Sequence, residues 1–575
     1  MRLLFPDAVM RLPVRLSSGL ARMAVSWSDG SEPVDWPELG VQAIAERESI
    51  GVAFSGGGSR AYVAALGQLA ALHELDLLKR VRYIAGVSGG AWATAVYCYG
   101  ADSELEEGQS LLGEVRLPSS LSWAGLVEVS KRSACGAVAC RSLPALCLRG
   151  VACGLPPGRA WAEALHMTFL EPLGMPAGAS FTYSPETLSK LQRAHPTLNG
   201  RAFATCGCTP YPILGMCRVG PSALAPYAPG NRAFTMIEAT PLYVGRPQGD
   251  AWLGGWVEPF TFGSDPAADP AQRPLFSLVD ALAASSFFAG APLAAISQPA
   301  PRSVAAAALG RGWRERLGLS VPSVTAETAG RATGEVLLAD GGSICNPPLI
   351  PLLQRGVETV LAFFNVGERL PPATEWDPFT QPLHEAFSDD LPAFFGVAST
   401  QTPSMSKMTD QNTVFERSAF APLVRQLQQS QAAGRGAVAS VRLRTVANEW
   451  WGISAGQQVT VIWFYICEAQ QWEHSLPLAV RSVLREGRER TAAKKPLLAS
   501  RTQPREVILS AARNAVPRAA GRLDGFPQYP LTRLHLTHVQ AGALHQLSAW
   551  VVSKNAAILK ECMASSPAEP EGDSD

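Results

Sequence analysis

At 575 residues, with 47% hydrophobic and 17% charged residues, the chain has the composition of a folded globular protein rather than a disordered one. Its 49 basic and 49 acidic residues cancel, which argues against a general nucleic-acid binder, because such a binder needs a basic surplus. Eleven cysteines show no CxxC pair and no Cys/His cluster at zinc spacing, so they read as the reduced thiols of an intracellular protein, with Cys206 and Cys208 one residue apart.

The first 45 residues form an N-terminal arm whose opening stretch, 1–27, carries Arg2, Arg11, Arg15 and Arg22 against the single acid Asp7, a composition shared by transit peptides and ordinary arms. Order begins with the apolar run "IGVAF", the glycine loop "SGGGSR" and a helix predicted over 61–78, closed by Lys79 and Arg80. A second strand, "VRYIAG", leads through a turn into the helix "AWATAVYCYG", completing a βαβα unit that implies a parallel sheet. Residues from about 100 to 230 mix Gly, Pro, Cys and short apolar runs without sustained periodicity and read as a lid or insertion. Strands follow at "AFTMIEATPLYVG" and "GEVLLADGG", the latter ending on Asp340, with a surface insertion at roughly 303–334 between them. "ALAASSFFAGAPLAAIS" at 281–297 is too broken to span a bilayer and reads as buried core. The pattern continues with a helix starting from Asn346 and stopped by Gly356, then the buried strands "VETVLAFFNV" and "VTVIWFYICEA". A terminal helix, "THVQAGALHQLSAWVVSKN", precedes the acidic tail at 561–575. The fold class is α/β: one large domain over 46–560, with a parallel-sheet core and helices on both faces.

Gly86-Val87-Ser88-Gly89-Gly90 matches G-x-S-x-G between a strand and a helix, the context in which a tight elbow thrusts a nucleophilic serine clear of the sheet. Parallel strands of one βαβ unit end on the same sheet edge, so the glycines at 56–58 should lie beside Ser88. There the backbone N–H groups of Gly57 and Gly58 can face a carbonyl under attack, each such donor contributing roughly 3–4 kcal/mol of transition-state stabilisation. A phosphate-binding loop is the competing reading, but the Walker lysine and a Rossmann G-x-G-x-x-G are both missing. For the base, Asp340 stands after a strand and before two glycines, at the sheet edge. The histidines occupy no evident catalytic turn, although His535, His538 and His545 keep a Ser-His-Asp esterase open.

The segments "SGGGSRA", "GVSGGAW" and "ADGGSICNPPLIPLLQRGVETVLAFF" resemble the catalytic domain of group IV cytosolic phospholipase A2 and its lysophospholipase relatives, in the patatin-like class of Ser-Asp dyad hydrolases. Further similarity lies in "IEATPLYVG", "WVEPFTFGSD", "FSLVDALAASSFFAG" and "FPQYPL", across most of 45–555. The resemblance implies Ser88 as nucleophile, Asp340 as base, Gly57 and Gly58 as oxyanion hole and Arg60 as the cation holding a phospholipid phosphate. It implies a phospholipid or lysophospholipid substrate met at a membrane surface by a cytoplasmic, peripherally bound hydrolase that needs neither metal nor cofactor. The arm of about 45 residues is too short for a calcium-binding C2 domain, so calcium-driven targeting is not implied, and the elbow reads "SGG" where the family has "SGS". Two rivals share the fold: a transacylase using the same acyl-enzyme, and a catalytically silent lipid-binding protein.

Overall fold

The structure, a computed structural model, describes residues 36–100, 110–219, 234–246, 255–262, 275–287, 335–397, 410–493 and 523–564, with short strand segments at 12–13, 24–25 and 320–322. The sequence expectations for 303–319, 323–334 and 565–575 fall outside the described residues, as does the second half of 281–297.

An eleven-stranded mixed sheet organises the chain. Its strands are β1 (Glu48–Phe54), β2 (Val81–Gly86), β3 (Tyr211–Val219), β4 (Phe234–Ala239), β5 (Val244–Arg246), β6 (Gly255–Val257), β7 (Ser320–Pro322), β8 (Glu335–Asp340), β9 (Thr359–Phe364), β10 (Ala437–Arg444) and β11 (Gln458–Tyr465). The spatial order is β6-β5-β4-β3-β2-β1-β9-β11-β10, with β8 pairing β3 and β7 pairing β8. The centre, β3 through β11, is parallel, and both flanks are antiparallel. This fits the strand sequences: "TVLAFF" of β9 is buried along its whole length, as a strand covered by helices on both faces must be.

Helix α1 (Gly58–Glu74) follows β1 and is buried at every position except His73 and Glu74. It starts three residues before the predicted Ala61, because Gly57 and Gly58 take positive φ angles that let the chain turn directly from strand into helix. Helix α2 (Gly89–Gly100) follows β2. The region read as a lid holds regular helices, among them α3 (Trp123–Lys131), α4 (Ala137–Cys140), α5 (Leu143–Ala152) and α6 (Pro157–Leu165). It ends by residue 210, since β3 is a central strand of the sheet and not part of an insertion. The remaining helices used below are α7 (Leu278–Ser286), α8 (Ile350–Gln354), α9 (Phe420–Ala432) and α10 (His538–Lys554). Residues of α1, α2, α7 and α10 form the core on one sheet face, and residues of α8 and α9 form the core on the other.

Residues 36–45, assigned above to the arm, dock on the sheet. The fully buried Arg355 guanidinium takes Glu38 at 2.8 Å and Glu238 at 2.6 Å, and stacks 4.0 Å from the Trp36 ring centroid. Nine cysteines are free, whereas Cys206 and Cys208 form a disulfide, against the expectation that all are reduced. The single intervening residue, Gly207, has a φ of 72° and brings their Cα atoms to 5.3 Å.

Candidate active site

The site forms where two strands meet head-on. Along one edge, β3 pairs with β4 over Leu214–Val219, so β2 and β8 must share the other. Strand β2 runs parallel to β3 and ends with Gly86 opposite Leu214, while β8 runs antiparallel and ends with Asp340 opposite Met216. One residue of β3, Gly215, separates the two levels, so the strand ends stop roughly 7 Å apart, at about 3.4 Å per residue. The sequence reading sets Asp340 over a parallel edge; its strand is antiparallel, and Asp340 is the last residue of that strand.

The elbow crosses this gap. Ser88 has a φ of 52°, a left-handed conformation that costs a non-glycine residue about 1–2 kcal/mol and aims its side chain off the sheet. Its hydroxyl lies close enough to the Asp340 carboxylate to favour the charged form of that group. Its amide donates to both Oγ and the backbone oxygen of Ser285, each at 3.1 Å, and Ser285 Oγ in turn donates to the Gly215 carbonyl at 2.6 Å. Ser285, at the end of α7, thus ties the elbow to the strand that sets its spacing from Asp340. Burial pushes the Asp340 carboxyl up to about 7, against the opposing pull of the Gly342 amide, which donates to Oδ1 at 2.8 Å, and of the Ser88 hydroxyl.

The glycine loop closes the third side. A Cβ on Gly56 would lie 2.9 Å from the Ser88 Cβ, so the loop and the elbow are in contact. The Gly56 amide donates to Asn346 Oδ1 at 2.6 Å, and Asn346 Nδ2 donates to Asp390 at 2.8 Å. Asn346 is therefore a loop anchor; the helix expected to start there begins at Ile350. The next two amides, of Gly57 and Gly58, have no acceptor among the described residues and stand at the N-terminus of α1, where the helix dipole favours negative charge.

Arg60 lies beneath this loop, 3% exposed. Its Nε donates to the Asn365 carbonyl at 2.9 Å and its Nη1 to the Tyr529 carbonyl, while Nη2 sits against the face of Gly57. Burial pulls its guanidinium down to about 10, so it remains charged at neutral pH. Asn365 itself is held by the Ser55 hydroxyl, which accepts its amide at 2.7 Å, and by a reciprocal amide pair with Gln68 at 2.8 and 2.9 Å. Sequence reasoning missed Ser285, Asn346 and Asn365. The available signal was a polar residue breaking an apolar run at a strand or helix end, as in "AFFNVG".

Two of the three late histidines have other partners. His545 is buried with Nε2 2.7 Å from the Leu112 carbonyl, and His538 meets Ser130 at 3.0 Å. Among the described residues no three His, Cys, Asp or Glu side chains gather in a way that could hold a metal ion.

The tightest contact of the site gives a direct check. A Cβ on Gly89 would fall 2.1 Å from the Gly58 carbonyl oxygen, so only glycine lets the elbow and the loop approach this closely. Gly89→Ala is expected to cost about 3 kcal/mol or more of stability and to lower turnover at least tenfold in whatever protein folds. Thermal unfolding and ester hydrolysis would measure the two effects, and a variant unchanged in both would contradict the contact.

A family model for patatin-like phospholipase matches residues 52–353. Cytosolic phospholipase A2 gamma of Mus musculus is 52% identical over 56 residues, 10% of this chain and 9% of that protein. The Homo sapiens cytosolic phospholipase A2 gamma is 44% identical over 63 residues, 11% and 12% of the respective lengths. The chain therefore aligns with only about a tenth of the length of these curated relatives. Human GIVD cytosolic phospholipase A2 superimposes with a TM-score of 0.43 at 16% identity, covering 91% of this chain and 62% of that one.

Proposed function

Because the chain belongs to the patatin-like phospholipase family, whose matched span takes in the glycine loop, Ser88 and Asp340, we propose that it is a lipid acyl hydrolase working through a Ser88–Asp340 dyad. The observation that carries this reading is a left-handed serine at a tight strand-to-helix turn beside a buried carboxylate whose charge it favours, next to two amides with no acceptor among the described residues.

In the proposed cycle, Ser88 Oγ attacks the ester carbonyl carbon of a phospholipid or lysophospholipid as its proton passes to Asp340. The carbonyl oxygen becomes an oxyanion facing the amides of Gly57 and Gly58. Collapse breaks the bond to the alkoxy oxygen, which takes the proton back from Asp340 and leaves as the deacylated lipid. Water then attacks the acyl-enzyme, gives its proton to Asp340, and the second collapse returns that proton to Ser88 and frees the fatty acid. Arg60 has a positioning role in this account, holding the floor of the oxyanion loop. A head-group phosphate would have to draw the guanidinium away from two backbone carbonyls.

Incubation with mixed-lipid vesicles and with detergent-dispersed lysophospholipid, followed by mass spectrometry, tests the reading. Released fatty acid with matching deacylated lipid is expected, whereas acyl chains moved onto added lysolipid or alcohol would make it a transacylase. The pH profile supplies a second mark. Asp340 accepts a proton only when ionised, and its pKa is raised to about 7, so kcat/KM should climb about tenfold per pH unit below 7 and level off above it. A profile already flat from pH 5 would remove Asp340 from the role of base.

A further inference from the structure

Helix α5 is an apolar helix that gives the core one side only, through Leu143 with Leu146 and Cys147 packed beside it. Its sequence, "LPALCLRGVA", has one charge, yet only Leu143 among its ten residues is buried. Leu148 is 66% exposed and Val151 41%, and Ala145 and Ala152 join them on the outward side at the spacings of one helical face, with Arg149 between. Together with the preceding turns, the limbs Ala134–Cys140 and Leu143–Ala152 are apolar enough for a membrane segment but are bent by 55°. From Val129 to Ala162 the chain carries Lys131, Arg132, Arg141, Arg149 and Arg159 and no acidic residue at all, in a protein whose net charge is zero. Arg132, Arg141 and Arg159 pair with Glu128, Glu171 and Asp280, while Arg149 and Lys131 have no acidic partner among the described residues.

We propose that the exposed face of α5 docks the protein on an anionic lipid surface, with Leu148 and Val151 entering the headgroup boundary and Arg149 meeting lipid phosphate or carboxylate. The pairing of an apolar stripe with unopposed positive charge fits an interfacial helix on such a surface. A protein partner or a second copy offers no equivalent reason for the missing acids. The docked helix is also mechanically continuous with the nucleophile. Helix α5 packs on α6, whose Trp161 donates to Ser286 Oγ at 3.1 Å and whose Arg159 meets Asp280 at 2.5 Å, both on α7. The neighbouring Ser285 receives the Ser88 amide. A bilayer held at α5 is therefore held at a fixed position relative to Ser88.

The inference rests on the lipid-hydrolase reading, and binding is best measured without turnover. Ser88→Ala protein would be sedimented with phosphatidylcholine vesicles with and without phosphatidylserine. Stronger binding to the anionic vesicles is expected. Adding Leu148→Glu with Val151→Glu, or Arg149→Glu, should weaken that binding roughly tenfold or more. Phe379→Glu, 58% exposed on a segment whose Trp376 packs into the opposite core, should leave it unchanged. Circular dichroism would confirm folding, and the single-charge Arg149 variant covers the case in which the double variant misfolds. Equal binding by the α5 variants, no preference for anionic vesicles, or a dimer dissolved by Leu148→Glu would each overturn the proposal. If the Ser88→Ala protein ignores vesicles while the active enzyme still releases fatty acid from detergent-dispersed lipid, the docking surface fails and the hydrolase reading stands.

Discussion

Ser88→Ala and Asp340→Asn should each lower kcat/KM on a dispersed lipid ester by at least about 10³-fold, with the double variant scarcely worse than either. The reason is geometric. Ser88 and the Asp340 carboxylate stand close together across a gap of one β3 residue, so in the proposed mechanism they act as one proton-transfer unit and the loss of either disables both. Asp340→Asn keeps the shape but supplies no carboxylate to receive the proton. Substituting His535, His538 or His545 by Gln should spare the chemistry. His545→Gln is expected to cost stability, because its buried contact with the Leu112 carbonyl is disturbed. Activity lost through one of these histidines in a folded protein would overturn the dyad in favour of a triad, and two additive losses at Ser88 and Asp340 would deny that they act together.

The second large effect is expected at Arg60. Arg60→Ala strips charged donors from the Asn365 and Tyr529 carbonyls beneath Gly57, and hydrogen bonds to a charged group contribute about 1.5–3 kcal/mol each. A fall in kcat/KM of roughly 10²-fold should follow, and it should be equal for phospholipids and for esters without phosphate, since the loop and not the head group is disturbed. Arg60→Lys should recover little, because an ammonium group lacks the planar fork that serves two carbonyls at once. Parallel kinetics on the two substrate types decide the matter. A loss confined to phosphorylated substrates would restore Arg60 as the phosphate anchor that the family resemblance implies.

Local chemistry was readable from the sequence wherever it was written in neighbouring residues. The glycine loop, the elbow and the strands "IGVAF", "VRYIAG" and "TVLAFF" carry their own turn residues and apolar runs, and they lie where the pattern puts them. What depended on distant pairing was hidden. Nothing in "GEVLLAD" says that it will run antiparallel to β3, because its partner is more than a hundred residues earlier. Arg60 looks like a surface charge in "GGGSRA"; only the return of Asn365 and Tyr529 beneath the loop buries it. Asn346 looks like a helix start ahead of two prolines, until Gly56 claims its side chain. The helices between 123 and 165 were not read from the sequence, because their mixture of Gly, Pro and Cys masks the helical period even where Ser122 caps α3 by accepting the Gly125 amide at 3.0 Å.

The head-on meeting of β2 and β8 also sets when, on the proposed mechanism, the site can first act. The nucleophile and the carboxylate lie 252 positions apart (340 − 88), and only the pairing of β8 with β3 brings them within reach. A chain still being synthesised exposes its serine elbow long before Asp340 exists, and long-range pairings of this kind form late. Until that pairing closes, Ser88 lacks the carboxylate that the proposed mechanism assigns to it, so an unfinished or half-folded copy carries an unarmed site.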